Sequence, residues 1–237
     1  MDFDLLCVTP DSRILDVGCG RGSVLLRLWE NKLLAVGIDI GKNYLDQIRI
    51  RHSLGSGGSL LQCSAEHLCF KPKTFDIIIC REVMEHLLNP LEALHEFRKV
   101  IKPNGRLCIT IPYYITEYLF NKLNPSWLSI SQHRTVFSLN KIKAMIEQSN
   151  FDLIKIKRER FFYTYFWFFH CLFRTPHDGT GRPSHNFWLT KILFAFWGLF
   201  KSYRICQTVI RVCNQVLPKS IYIYCEASNR LSNQDHE

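Results

Sequence analysis

Asp16 stands two positions before the glycine run Gly18-Cys19-Gly20-Arg21-Gly22, which follows the apolar stretch Ile14-Leu15. Glycines at the end of a buried strand let the backbone pass close to a ligand, because a Cβ would block the approach. A dinucleotide fingerprint wants its third glycine one residue later, where this chain has Ser23 instead. Asp39 closes the next apolar run, about twenty residues beyond the loop, where a carboxylate can accept both hydroxyls of a ribose. Its plainer reading is a turn former at a strand end. Taken together, these residues mark a nucleoside site.

A second constellation follows. Glu82, Glu85 and His86 stand at i, i+3 and i+4, which puts them on one face if a helix begins there. Two carboxylates and an imidazole could hold Mg²⁺ or another divalent cation, with His133 arriving from a later loop as a fourth ligand. Such an ion would lower the pKa of a substrate hydroxyl and make an oxygen nucleophile at neutral pH. Without a metal, His86 or His133 could serve as general base. A structural reading also stands, in which the pair only orders a loop. His52, His95 and His170 are weaker candidates, His95 because it lies among surface charges.

The elements that must carry these residues alternate. Apolar runs at Ser12–Val17, Leu33–Ile40, Leu60–Cys63, Phe75–Cys80 and Arg106–Ile111 read as strands. Helical spacing lies between them at Val24–Trp29 and Tyr44–Ile50, with Leu54–Ser59 a loop. Asn89 is placed as an N-cap with Pro90 at the first helical position, and Leu91, Leu94, Val100 and Ile101 supply that helix's buried face. Pro103-Asn104-Gly105 is expected to turn the chain into the fifth strand. After a loop, a helix is expected over Ser138–Ser149, a sixth strand over Phe151–Lys157, and a seventh over Ile221–Cys225. This pattern predicts βαβ units and a parallel sheet with an insertion of about sixty residues before the last strand.

At this point the chain resembles the class I S-adenosylmethionine-dependent methyltransferases, type 11/23-like, in the broad family that includes the ubiquinone-type O-methyltransferases. The resemblance covers roughly Ser12 to Asp152. It rests on D-V-G-C-G-R-G (16–22), G-I-D-I (37–40), F-D-I-I-I-C-R-E-V-M-E-H-L (75–87), N-P-L-E-A-L-H-E-F-R-K-V-I-K-P-N-G-R-L (89–107) and H-R-T-V-F-S (133–138). It implies a Rossmann-like α/β fold, a seven-stranded sheet sandwiched by helices. It further implies that Asp16, Gly18, Gly20 and Gly22 hold the methionine end of S-adenosylmethionine and Asp39 the ribose. Ala65 and Glu66 would lie beside the adenine, and Arg81 would join the cofactor site. The family usually has Asp where this chain has Ser64, so the adenine contact is weakened or rearranged.

The length suits a core over 1–160, a helical aromatic-rich insertion over 161–218, a last strand over 219–228 and a frayed polar tail over 229–237. Ten cysteines form no C-x-x-C pair and read as buried free thiols of a reducing compartment. The first ten residues carry no basic n-region, which argues against a signal peptide and for a cytoplasmic protein. Of the net charge of +9, all falls between Lys155 and Lys219, with eleven Lys and Arg against Glu159 and Asp178.

That basic segment is also dense in aromatics. Phe161–Phe173 and Phe187–Phe200 are each too short to span a bilayer, and Thr175–Ser184 between them is a polar loop. Ile192, Phe196, Leu199, Tyr203 and Ile210 are expected to share a helical face, with Lys201, Arg204 and Arg211 beside it. A cap over a substrate pocket and a peripheral contact with an anionic membrane face both fit. A nucleic-acid surface fits poorly, because the aromatics are not interleaved with the cations. The function expected is methyl transfer to a small, apolar or lipid-linked acceptor, at an oxygen. Two alternatives stand beside it, a non-catalytic methyltransferase-like membrane or assembly factor and an NAD-dependent oxidoreductase.

Overall fold

A computed structural model describes residues 1–51, 58–172, 188–202 and 204–228. The expected loop at Leu54–Ser59 falls largely outside these residues. So do the polar loop at Thr175–Ser184, the tail from Asn229, His52, and the side chains of Leu199, Lys201, Tyr203 and Arg204.

The chain forms two compact units. The first holds Met1–Thr110, Leu139–Ile156 and Tyr222–Glu237, and the second Ile111–Ser138 and Lys157–Ile221. In the first unit the apolar runs form β1 (Arg13–Val17), β2 (Leu34–Asp39), β3 (Gly58–Gln62), β4 (Phe75–Arg81) and β5 (Ile101–Pro112). With β6 (Phe151–Glu159) and β7 (Ser220–Ala227) they make one seven-stranded sheet in the order β3-β2-β1-β4-β5-β7-β6. The pairs β1–β2, β1–β4, β2–β3 and β4–β5 are parallel. Ile14, Leu15, Ile77, Ile78 and Ile79 are fully buried, which is why these strands read as continuous apolar runs rather than alternating ones.

Helices α1 (Leu25–Glu30), α2 (Lys42–Arg51), α3 (Pro90–Val100) and α6 (Leu139–Gln148) belong to this unit. Pro90 opens α3 as expected, but Asn89 makes no side-chain cap bond. Its backbone N–H donates instead to the Glu66 carboxylate. The buried face of α3 is Ala93, Leu94, Phe97 and Val100; Leu91 is only partly covered, and Ile101 has already entered β5.

Three expectations are corrected here. Pro103-Asn104-Gly105 does not separate a turn from a strand; it lies within β5. Phe75 pairs Ile101 while Ile77 pairs Arg106, so the extra residues bulge out, with Asn104 at φ +61°. The stretch before Ser138 is not a loop but carries α4 (Tyr114–Leu123) and α5 (Trp127–Ser131). The thiols are not uniformly buried, since Cys7 and Cys69 are exposed.

The second unit also contains α7 (Phe161–Leu172), α8 (Trp188–Ser202) and α9 (Arg204–Val216). Its packing is aromatic: Phe162, Phe166 and Leu193 form one buried cluster, and Phe120, Trp127 and Cys171 another. On α8, Ile192 and Phe196 share an exposed face, while Thr190 and Leu193 are buried. Twelve of the chain's Lys and Arg, against Glu117, Glu159 and Asp178, fall in this unit, so it carries the whole net charge of +9.

Candidate active site

The ends of β1, β2 and β4 lie in register, Val17 beside Ile38 on one side and Cys80 on the other. From β1 the sheet proceeds outward in both directions, so the loops after β1 and β4 part there. That is the crevice where open α/β sheets bind ligands.

The glycine loop grows directly from β1. Gly18, Gly20 and Gly22 have φ of +63°, +52° and +80°, a region that side chains with a Cβ rarely adopt. The first and second have different reasons for being glycine. A Cβ on Gly18 would lie 2.3 Å from Val83 Cγ2, whereas one on Gly20 would meet nothing nearer than the Gly18 carbonyl oxygen at 4.0 Å. Gly18 is closed by packing; Gly20 faces open space.

Asp39 ties the loop down. One carboxylate oxygen accepts the Gly20 N–H at 2.8 Å, and the other accepts the Gly41 N–H at 2.8 Å. Each oxygen keeps a second lone pair, so the group can still accept two hydroxyls.

Asp16 is buried on β1, and its Oδ2 has no hydrogen-bond partner among the described residues. Burial pushes its carboxyl up to about 7, against the attraction of Arg81; the nearby Asp39 adds to the rise. Arg81 Nε and Thr110 Oγ1 are likewise buried without partners, and Arg81 pairs Thr110 across β4 and β5. Unmet polar atoms at strand ends are what a polar ligand would satisfy.

On the flank, Ala65 is buried and Glu66 half-buried, with the Ser64 hydroxyl accepting the Glu66 N–H at 3.2 Å. The Glu66 carboxylate is engaged by the start of α3.

No regular helix begins at Glu82. Its φ of +54° turns the chain sharply, and only a single 3₁₀ turn, Met84–His86, follows. Glu85 is buried and His86 half-buried on that turn, while Glu82 precedes it. The common helical face expected for the three therefore does not form.

His133 lies in the second unit, where sequence reasoning missed its partners. The Glu117 carboxylate on α4 accepts the Trp127 indole N–H at 2.9 Å and lies 2.7 Å from His133 Nδ1. Its other oxygen accepts from Lys219 Nζ at 2.8 Å. Burial would raise the Glu117 carboxyl, but Lys219 and the His133 bond outweigh it and hold the group at about 2. An ionised carboxylate only accepts, so Nδ1 carries the proton and Nε2 is the basic nitrogen of neutral His133. A lone acid in the apolar run Tyr114–Phe120 was the signal available for Glu117. His95 is exposed, and His170 is buried 3.4 Å from the Thr190 hydroxyl.

Residues 15–109 match the family model described as a methyltransferase domain. Over those residues the first unit is similar to class I S-adenosylmethionine-dependent methyltransferases. Its relatives include the ubiquinone biosynthesis O-methyltransferase of Aliivibrio fischeri, 36% identical over 112 residues, which are 46% of this chain and 47% of that protein. The same-named enzyme of Photobacterium profundum is 31% identical over 147 residues, 58% of this chain and 62% of that protein. The matched region thus spans about half the length of these relatives, reaching 62% at most. An S-adenosylmethionine-dependent methyltransferase from Mesorhizobium loti superposes with a TM-score of 0.65 at 12% identity, over 94% of each chain. The chain therefore has the seven-stranded Rossmann-like fold expected, and the glycine loop, Asp39 and the β4 turn all fall inside the matched residues.

Proposed function

We propose that the protein transfers a methyl group from S-adenosylmethionine to an oxygen of a small, apolar or lipid-linked acceptor. The observation that carries this reading is the strand-end cradle, in which Asp39 holds the glycine loop while Asp16, Arg81 and Thr110 keep buried polar atoms unmet. Asp39 accepts the ribose hydroxyls, and Gly20 leaves room for the backbone to approach. Asp16 and Arg81 face the ammonium and carboxylate of the methionine end, opposite charges for opposite charges. Ala65 supplies an apolar wall for the adenine and Glu66 fixes that wall to α3.

When bound, S-adenosylmethionine supplies a methyl carbon activated by its sulfonium leaving group. Transfer then needs alignment and a nucleophile. His86 or His133 takes the proton of the acceptor hydroxyl as the oxygen–carbon bond forms and the carbon–sulfur bond breaks. Glu117 suits His133 to that role by fixing its tautomer. A second route would use a hard divalent ion such as Mg²⁺ on Glu85 and His86 of the 3₁₀ turn, which would lower the pKa of the acceptor hydroxyl.

The ubiquinone-type relatives favour a lipid-linked acceptor. No helix among the described residues is long and apolar enough to cross a membrane, and a peripheral position at an anionic membrane face agrees with the charge of the second unit. Calorimetry with S-adenosylmethionine and S-adenosylhomocysteine, followed by transfer of labelled methyl to a catechol acceptor with and without a prenyl tail, tests the proposal. Tight binding of NADH with none of S-adenosylmethionine would overturn it in favour of an oxidoreductase. Failure to bind either would leave a non-catalytic factor.

A further inference from the structure

The second unit contains a groove of about 470 Å³ between α7, α8 and α9. Phe162, Phe194, Trp197 and Ile210 line it, with ring centroids 5.2 Å apart for Phe162–Phe194 and 4.8 Å for Phe162–Trp197. Arg160 and Asn214 are the polar lining residues. Arg160 sits 4.6 Å over the Tyr163 ring, and Asn214 is fixed by accepting the Phe161 N–H at 2.8 Å.

Gly198 is the informative member. It lies inside α8, where glycine costs about 1 kcal/mol relative to alanine. A Cβ there would meet nothing within 4 Å, so neither packing nor backbone conformation demands the glycine. What the glycine provides is an open groove.

The surroundings indicate what enters. Trp188, Ile192 and Phe196 are 62%, 54% and 54% exposed at i, i+4 and i+8 on α8. On α9, Val209, Val212 and Val216 are 45%, 58% and 61% exposed. Exposed Lys191 and Arg211 stand on the same two helices, and the unit carries the chain's entire net charge. Apolar ridges flanked by cations complement an anionic bilayer: side chains enter the acyl boundary while cations meet headgroups.

We propose that the α7–α8–α9 face docks on an anionic lipid surface and that the Gly198 groove takes one acyl chain, with Arg160 meeting the headgroup phosphate. This does not rest on methyl transfer, since every residue concerned lies outside the residues matched to that family.

The test uses the full chain with phosphatidylcholine vesicles, alone and mixed with phosphatidylglycerol, in flotation at low salt. Tryptophan fluorescence is read in parallel with lipids carrying bromine on the acyl chain. The mixed vesicles are expected to float the protein and the brominated chains to quench it, with Trp197→Phe losing part of the quenching. Gly198→Leu fills the groove while improving helix propensity, and an unchanged circular dichroism spectrum and thermal melt check that it folds as the parent does. It should weaken binding about tenfold, the equivalent of displacing about two methylenes of the chain. Flotation of Gly198→Leu equal to the parent, or equal binding to neutral vesicles, would overturn the proposal. Calorimetric binding of S-adenosylmethionine should be the same in both proteins.

Discussion

His133 Nδ1 lies 2.7 Å from the Glu117 carboxylate, which Lys219 holds from its other side at 2.8 Å. These two partners of the carboxylate are nearly buried, the His133 side chain at 9% exposure and Lys219 at 7%. Glu117→Gln leaves the Lys219 charge without its counterion and should cost about 3–5 kcal/mol. The sign with pH is fixed: Glu117 is held at about 2, below the ordinary value of 4.5. Its contribution is complete above 4.5 and is lost as pH falls toward 2. Thermal melts of the parent should fall across that window, and those of Glu117→Gln should stay flatter; parallel profiles would remove Glu117 from the account.

Asp16 should make cofactor binding pH-dependent. Its carboxyl is raised to about 7, and only the ionised form attracts an ammonium. Affinity for S-adenosylmethionine should drop about tenfold per pH unit below 7, and Asp16→Asn should bind weakly at all pH. In the unliganded protein the sign is opposite. Raised from 3.8, Asp16 favours the folded state below that value, and this is lost as pH rises through 7. Calorimetry from pH 5 to about 8 reads the first effect directly.

Asp39→Ala should weaken S-adenosylmethionine by tenfold or more, about 1.5 kcal/mol from lost ribose hydrogen bonds. Unchanged affinity would take the ribose elsewhere.

Gly18→Ala and Gly20→Ala should separate. The first forces a Cβ against Val83 and should cost about 2–3 kcal/mol in denaturant melts. The second carries only backbone strain, about 1 kcal/mol, but places a methyl where the ligand approaches. Its loss should appear in affinity more than in stability.

If Glu85 and His86 hold a divalent ion, EDTA should abolish turnover and Mg²⁺ restore it. Full activity in EDTA leaves proton abstraction by histidine as the route.

The sheet was legible because buried parallel strands are local, continuous apolar runs, and its cradle because Asp16, the glycines and Asp39 sit at the ends of such runs. The bulge in β5 was not, since Pro103-Asn104-Gly105 reads as a turn unless the pairing of Phe75 with Ile101 is known. Glu117 and Lys219 are 102 residues apart, a contact no local pattern encodes. Ile192 and Phe196 have helical spacing that cannot distinguish a buried ridge from one turned outward. Glu82 departs from its expected helix because a single positive φ redirects the chain there.

The double hold of Asp39 on Gly20 and Gly41 has a thermodynamic consequence. The loop is assembled before any nucleoside arrives, so little conformational freedom remains to be lost on capture. Association should then be governed by diffusion and fit, with only a small entropic opposition, rather than by the slow ordering of a loop. The cradle is a mould already set.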